Sequence, residues 1–238
     1  MSEPTTYDLK PIGYIQSPFK EKFGIPRQPG LAPHAKAVLA LVHPFNRVES
    51  VRGLDEFTHI WISFLFHGVR EESFRPMVRP PRLGGNQRLG VFATRSTHRP
   101  NRLGLSAVKL DRIDTSDGVK LFLSGVDLLD ETPVFDIKPY LPWSDSLPDA
   151  QAGFANEAPR PRLEVLFSDT ANQFLKMLGE RSGNKLRQLV EEVVSLDPRP
   201  AYIQDQDSER SFGCKLKRYN VVWTVKDSVA TIASIERL

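Results

Sequence analysis

The chain is organised around residues 79–104, RPPRLGGNQRLGVFATRSTHRPNRLG, in which glycines and prolines surround one short apolar run at residues 89–94. This pattern predicts a loop, a strand and a second loop. Residues 70–102 hold eight arginines against two acids, so the segment carries +6 while the whole chain carries +3. Because a guanidinium binds an oxyanion through two parallel hydrogen bonds, the segment predicts contacts with phosphate or carboxylate groups. The alternative is a barrel rim whose glycines form turns and whose arginines pair with acids elsewhere.

The bulk properties are those of an ordinary globular protein. The 238 residues are 40% hydrophobic and 26% charged, with a mean hydropathy of −0.33, and this length fits one large domain with a smaller one. A pI near 9.0 is a weak indication of a polyanionic partner, which the clustered arginines strengthen. A single cysteine, Cys214, leaves no partner for an intrachain disulfide. With no apolar run long enough to span a bilayer and no signal region, we expect a cytoplasmic protein without a membrane partner.

Short apolar segments predict a mainly β architecture in the first part of the chain. The most apolar of them, residues 58–66, carries apolar side chains on both faces and belongs at the centre of a barrel or covered sheet. It ends in His67 and Gly68, which mark either the edge of a site or a structural hydrogen-bonding group. Further strands are predicted at residues 9–17, 37–43, 103–113 and 119–126, and one or two helical turns at residues 46–54.

Two irregular segments are candidates for function. Residues 20–33, KEKFGIPRQPGLAP, hold three prolines and two glycines and predict a long surface loop, either functional or a plain connector. Residues 127–140, DLLDETPVFDIKPY, contain four acids. Paired carboxylates suit general-base chemistry or a divalent ion, but the spacing is not that of a calcium loop, and histidine and cysteine partners are absent. The alternative is that these acids cap turns and pair with the arginines of residues 79–104.

The C-terminal part predicts a small α+β domain. Residues 142–161 are rich in Pro, Ala, Asp and Asn and predict a linker that contains the domain boundary. A strand at residues 163–167 precedes an amphipathic helix from Asp169, which Gly183 and Asn184 are expected to end before a second helix over residues 186–194. Residues 219–225 and 229–235 predict a hairpin, and the polar residues 201–210 predict a mobile loop.

Four motifs in a fixed order resemble the TsaA-like family, also called TrmO or YaeB. They are KEKFGIPRQPGL (20–31), VRGLDEFTHIWISFLFH (51–67), RPPRLGGNQRLGVFATRSTHRPNRLGLS (79–106) and DLLDETPVFDIKPYLP (127–142), and the similarity continues through DPRPAY (197–202). The resemblance implies a single-sheet β-barrel domain at residues 1–160, a smaller α+β domain at residues 161–238, and a homodimer. It also implies an S-adenosylmethionine-dependent tRNA methyltransferase that acts on N6 of threonylcarbamoyladenosine beside the anticodon. The lack of a G-x-G-x-x-G motif after a strand agrees with a cofactor site of another type.

The resemblance also implies which residues form the site. The expected cofactor contacts are Gln28, Pro29, Gly30, His67, Gly68, Arg95, Leu105, Asp130, Glu131, Thr132 and Pro133. Many relatives carry glycine where Glu131 stands, which puts any contact that needs positive φ there in question. Residue chemistry nominates Asp136, Lys138 or Tyr140 for assisted removal of the N6 proton, with shaping of the pocket as the alternative role. The tRNA backbone or the substrate's threonyl carboxylate would be bound by Arg79, Arg82, Arg88, Arg99 and Arg102.

Two other functions use the same residues. A non-catalytic RNA-binding module would need only the arginine cluster and would not bind a methyl donor. A nucleotide or phosphate-ester hydrolase would use the carboxylates with the arginines and would depend on a metal ion, whereas the methyltransferase is expected to need none.

Overall fold

Six antiparallel strands close into a barrel in the first part of the chain, in the order β1-β2-β7-β6-β3-β8. The computed structural model describes residues 5–200, 203 and 208–238. Two further strands, β4 and β5, pair only with each other. In chain order the eight strands are β1 Gly13–Gln16, β2 Ala37–Leu41, β3 His59–Leu65, β4 Met77–Val78, β5 Leu89–Gly90, β6 Leu103–Asp114, β7 Lys120–Ser124 and β8 Pro133–Pro139.

The barrel interior is filled by alternate side chains of every strand. On β3 the inward residues are Ile60, Ile62 and Phe64, all at most 4% exposed, and its neighbours β6 and β8 cover it on both sides. Leu121 and Leu123 of β7, the strand beyond β6, fill the interior next to them. The predicted barrel with residues 58–66 at its centre is therefore confirmed.

Several predicted boundaries in the barrel domain differ from the observed ones. The run at residues 89–94 is not one strand: only Leu89 and Gly90 pair, and Val91–Ala93 turn into a 3₁₀ helix that buries Val91. The strand predicted at residues 9–17 is limited to β1, and the helical turns at residues 46–54 are two short 3₁₀ helices, Val48–Val51 and Leu54–Glu56. Strand β8 was not predicted, because prolines stand at both its ends and charged Asp136 and Lys138 occupy its outer face.

The C-terminal part is an α+β unit, as predicted. Its four-stranded sheet has the order β10-β11-β12-β9, with β9 parallel to β12 and the other pairs antiparallel. The predicted hairpin corresponds to β11 and β12, whereas β10 was not predicted. A short helix, α1 Pro142–Asp145, precedes this unit, whose elements are β9 Glu164–Phe167, α2 Asp169–Met177, α3 Glu180–Ser195, β10 Ser208–Leu216, β11 Tyr219–Lys226 and β12 Val229–Arg237. Most of the loop predicted at residues 201–210 lies outside the described residues.

The two helices are separated at Gly179, four residues before the predicted break. Gly179 has φ of 80° and lies between α2 and α3. Gly183 is instead buried inside α3, where an added Cβ would lie 2.3 Å from the carbonyl oxygen of Leu175. Glycine therefore serves close helix packing at residue 183 and does not end the helix.

The long loop after β1 lies against the C-terminal sheet. The rings of Phe23 and Trp223 stack with centroids 5.9 Å apart, and Phe19 forms a β-bridge with Leu216. Farther along the loop, Glu192 of α3 accepts hydrogen bonds from the backbone N–H of His34 at 2.8 Å and from its ring at 2.5 Å. The barrel and the C-terminal unit consequently share one continuous apolar core, with this loop between them.

Candidate active site

One mouth of the barrel gathers most of the predicted cofactor residues. The antiparallel order brings the carboxyl ends of β1, β3 and β7 to the same edge as the amino ends of β2, β6 and β8. The loops that leave these ends include residues 17–36, 66–102 and 125–132. Segments that are far apart in sequence therefore meet at this mouth, which we call the strand-end mouth.

Two glycines let the loop after β1 touch the segment after β7. Gly30 N–H donates to Gly125 O at 2.8 Å, and both residues have positive φ, 80° and 66°. An added Cβ on Gly125 would lie 3.2 Å from Gly30 Cα, while one on Gly30 would meet nothing within 4 Å. The outer side of the Gly30 backbone is thus open to an approaching ligand.

Arg95 joins the arginine-rich segment to the same loop. Its Nη1 donates to the side-chain oxygen of Gln28, while the guanidinium remains exposed. Pro29, between Gln28 and Gly30, is half-buried. A cation at this place can pair with the carboxylate of an amino-acid ligand.

His67 and Gly68, at the end of β3, contact the segments on either side of them. Thr132, which is 2% exposed, donates its hydroxyl proton to Leu129 O at 2.7 Å, and the same oxygen lies 3.4 Å from His67 Nδ1. Lys22 Nζ donates to Gly68 O at 2.9 Å. His67 thus has a hydrogen-bonding neighbour in Thr132, and its place at the edge of a site stays a prediction.

Asp130 and Glu131 fix the entry into β8. Asp130 accepts from Ser17 N–H at 2.8 Å and pairs with Lys20 at 2.5 Å, so its cationic partner is a lysine, not one of the predicted arginines. Glu131 has φ of 63° and its N–H donates to Ile15 O at 2.7 Å. The left-handed backbone expected of glycine is therefore retained here by a glutamate.

Asp127 was missed as a site residue. It accepts a hydrogen bond from Ser106 Oγ at 2.8 Å, inside the strand-end mouth. Burial raises the pKa of its carboxyl to about 6, against the opposing effects of Ser106, its own backbone N–H and the Arg95 charge. The sequence signal was its place in the acidic run, but its half-buried position beside Ser106 follows from the barrel closure and not from the local pattern.

The three candidates for proton removal line a stripe on the outer wall of the barrel. Ser63 of β3 lies directly between Leu105 of β6 and Asp136 of β8, so Asp136 is about 10 Å from Leu105 across two strand spacings. Lys138, two residues farther along β8, is paired with Trp61 of β3.

Tyr140 lies at the far end of that stripe. It contacts the rings of Trp61 and His59, with centroid distances of 5.7 and 6.4 Å. Seven residues of extended chain place it about 23 Å from Pro133, which begins β8 at the strand-end mouth. The structure thus brings Asp136 near the predicted cofactor residues and does not bring Tyr140 there.

The five predicted RNA-binding arginines fall into two groups. Arg99 Nη1 donates to Thr94 O at 2.9 Å, and Arg102 Nη1 donates to Val69 O at 3.0 Å, so these two hold the loops of the barrel rim together. The other three, Arg79, Arg82 and Arg88, have exposed side chains. Arg99 and Arg102 therefore serve the barrel rim, whereas the binding of an anion by the other three arginines stays a prediction.

Two family models match the chain. The model described as the tRNA-methyltransferase O N-terminal domain matches residues 14–146, and that of the TrmO C-terminal domain matches residues 160–238. The chain belongs to the TrmO family.

Relatives of known name agree with this TrmO membership. A protein of Escherichia coli (strain K12) named tRNA (adenine(37)-N6)-methyltransferase is 46% identical over 98% of this chain and 99% of its own length. A Pseudomonas aeruginosa protein named putative S-adenosylmethionine-dependent methyltransferase RcsF is 48% identical over 92% of both chains. The crystal structure of TrmO from P. aeruginosa superposes with a TM-score of 0.81 at 38% identity and covers 99% of each chain.

In the part of the chain that the structure describes, no group of three or more His, Cys, Asp or Glu side chains is arranged to hold a metal ion. Among the described residues, no helix is both long and apolar enough to cross a bilayer.

Proposed function

We propose that this chain transfers a methyl group from S-adenosylmethionine to N6 of threonylcarbamoyladenosine, the modified nucleotide just 3′ of the anticodon in tRNA. The observation that carries the proposal is the match of nearly the whole chain to a tRNA (adenine(37)-N6)-methyltransferase. The strand-end mouth, where the predicted cofactor residues meet, supports it from the geometry. Threonylcarbamoyl specificity follows the family resemblance of the four motifs.

The chemistry of the strand-end mouth fits this cofactor. When bound, S-adenosylmethionine supplies a methyl group on a sulfonium sulphur. Arg95 would pair with the methionyl carboxylate, since its guanidinium is exposed beside Gln28. The open backbone at Gly30 and the segment from Asp130 to Pro133 would provide the backbone groups for adenine and the ammonium. His67, Gly68, Pro29 and Leu105 would complete the walls.

The protein's part in the reaction is mainly to position the nitrogen for in-line attack. An acylated N6 is more acidic than the amine of adenine, so a nearby base can remove its proton. We assign that role to Asp136, which is exposed and lies nearest to Leu105 among the three candidates. Lys138 and Tyr140 continue the same stripe, and we assign them the orientation of the nucleotide on the outer wall.

The exposed arginines would bind the RNA. Arg79, Arg82 and Arg88 surround the β4–β5 ribbon and present charge without a lysine among them. Arg99 and Arg102 would act together with them through the loops that they stabilise. A nucleotide in an anticodon loop is already partly unstacked, which lowers the energetic cost of turning it into a site.

The assembly and the location of the chain complete the proposal. We propose a cytoplasmic homodimer, with a barrel domain at residues 1–160 and a C-terminal domain at residues 161–238. The homodimer follows from the family resemblance of the four motifs. Light scattering of the purified protein would give the mass of one chain if this part of the proposal is wrong.

Isothermal titration with S-adenosylmethionine tests the cofactor assignment before any RNA is made. We expect a dissociation constant in the micromolar range that a chelator of divalent ions does not change. Absence of binding, with and without added tRNA, would favour the RNA-binding module. Activity on a phosphate ester that disappears with chelator would favour the hydrolase.

A further inference from the structure

A second concave site lies between the barrel domain and the C-terminal unit. It is a crevice of about 280 Å³. Three segments form its walls, residues 24–27 with Leu31, residues 81–82 and residues 157–162, and the end of α3 with the following turn, residues 193–198, forms its floor. Within the described chain, none of the predicted cofactor residues lines it.

Four arginines line this crevice, and they come from all three walls: Arg27, Arg82, Arg160 and Arg162. Two acids, Glu157 and Asp197, share the lining. Asp197 is already neutralised, because Arg199 binds it through Nε at 2.7 Å and Nη2 at 2.9 Å and both side chains are 2% exposed. The DPRP motif therefore forms the buried floor, and Arg27, Arg82 and Arg160 lie with Glu157 in the rest of the lining.

The pKa of Arg27 is shifted by its surroundings in the crevice. Desolvation lowers the pKa of its guanidinium first, and the charges of Arg162 and Arg82 lower it further, against the opposing effect of Asp197. Among the described residues, its guanidinium makes no hydrogen bond or ion pair, although the side chain stays accessible to solvent. Clustered arginines repel each other, and an anion that enters the crevice removes that cost.

We propose that this interdomain crevice binds a phosphate group of the substrate RNA backbone, as a contact separate from the strand-end mouth. The proposal rests on the proposed function, since it takes tRNA as the partner. Planar guanidinium groups suit phosphate oxygens, and proline residues in each wall, such as Pro26, Pro81 and Pro159, keep the backbone rigid.

The position of the arginines favours RNA over a free small anion. Arg27 directly precedes the Gln28 of the proposed cofactor loop, and Arg82 belongs to the arginine-rich segment 79–104. An RNA bound on the exposed arginines of that segment would therefore meet the crevice at Arg82, which lines it. Free phosphate has the same chemistry, and the experiment separates the two sources.

The test compares tRNA binding by Arg160→Ala and by Arg27→Gln/Arg160→Ala with that by Arg181→Ala. Arg181 is exposed near the start of α3, away from the crevice, and its loss changes the net charge equally. We expect Arg160→Ala to weaken tRNA binding about tenfold and to reduce the slope of log K against log salt by about 1, with a larger loss in the double variant. S-adenosylmethionine affinity and the melting temperature of Arg160→Ala should match those of Arg181→Ala.

The possible outcomes separate three situations. If both crevice variants bind tRNA as Arg181→Ala does, the crevice proposal is wrong, even when the unaltered chain binds S-adenosylmethionine and methylates tRNA. If the variants lose calorimetric binding of inorganic phosphate but keep their tRNA affinity, the crevice is a small-anion site and the RNA proposal is equally overturned. Failure of the unaltered chain to bind S-adenosylmethionine and to methylate tRNA would instead overturn the proposed function.

Discussion

Arg95 connects the arginine-rich segment with the loop at Gln28, and its replacement tests the proposed cofactor contact at the residue scale. Arg95→Ala removes an exposed guanidinium whose side-chain hydrogen bond goes to Gln28. A charged hydrogen bond contributes about 1.5–3 kcal/mol, so we expect S-adenosylmethionine affinity to fall roughly 10–100-fold with the melting temperature nearly unchanged. Arg88→Ala, at another exposed arginine, is the matched control. Equal calorimetric affinities of the two variants would show that Arg95 does not bind the cofactor.

Ionisation of Asp127 lowers the free energy of unfolding, so the stability of the chain depends on pH through this residue. The pKa of its carboxyl is about 6 in the folded chain, above its ordinary value of 3.8, because burial disfavours the charged form. Between about pH 4 and pH 6 the folded state therefore keeps a proton that the unfolded state has lost. The contribution of this group to the free energy of unfolding is greatest below about pH 4 and is lost as the pH rises through about 6.

Asp127→Asn removes this cost while keeping an acceptor for Ser106. At about pH 8 we expect the variant to be more stable than the unaltered chain by roughly 2–3 kcal/mol, and at about pH 4 to be nearly equal to it. Urea unfolding at the two pH values measures the difference. A stability gain of the same size at both would mean that ionisation of Asp127 is not its source.

Glu131 adopts a backbone conformation that favours glycine. Its φ of 63° costs an L-residue roughly 1 kcal/mol, so Glu131→Gly should raise the free energy of unfolding by up to about 1 kcal/mol. Glu131→Ala keeps the strain and serves as the control, with no gain expected. A gain with alanine alone would place the effect in the glutamate side chain and not in the backbone.

Helix packing in the C-terminal unit is tested by Gly183→Ala. Helix propensity alone favours alanine by about 1 kcal/mol, but the added Cβ would lie 2.3 Å from Leu175 O in α2. Overpacking of this kind costs roughly 1–3 kcal/mol, so we expect a net loss of stability in thermal unfolding. Ser182→Ala, at an exposed position in the same helix, should be neutral or slightly stabilising. A more stable Gly183→Ala protein would contradict the close packing of α2 on α3.

At the scale of elements, sequence patterns predicted the strands with strong apolar runs. The apolar run of β3 was recognised because both faces of that strand carry apolar residues. The alternating pattern of β11 and β12 was recognised because one face of each strand is buried and requires apolar residues. Strand β8 was missed because its outer residues Asp136 and Lys138 and its terminal prolines mask the apolar positions Val134 and Ile137. The helix break was predicted at Gly183 and not at Gly179, because a glycine that ends a helix and a glycine that allows close packing look alike in a sequence.

The sequence predicted which residues belong to the candidate site better than it predicted where they lie in space. Gln28, Gly30 and Arg95 were named from the motifs, and the structure brings them together. Barrel closure decides the rest: it places Asp127, half-buried, beside Ser106 and turns Asp136 to the outer wall. These positions depend on pairings between strands distant in sequence, which a local pattern does not contain.

In the whole molecule, the loop after β1, residues 17–36, is attached to the C-terminal unit. Residues before Gln28 stack on the sheet of that unit through Phe23 and Trp223, and residues after Gly30 bind α3 through His34 and Glu192. The loop that forms part of the strand-end mouth is therefore anchored on both sides by the C-terminal unit. This gives that unit a structural role in the site, alongside the proposed phosphate contact in the interdomain crevice.

Nucleoside analysis of methylated tRNA tests the central claim most directly. The purified chain would be incubated with S-adenosylmethionine and tRNA that carries threonylcarbamoyladenosine, and the RNA then digested and examined by mass spectrometry. Tandem spectra should show threonylcarbamoyladenosine converted to a form one methyl group heavier, with the methyl group on N6, and tRNA lacking the threonylcarbamoyl group should remain unmethylated. Unchanged threonylcarbamoyladenosine, or a methyl group on any other nucleoside, would contradict the account.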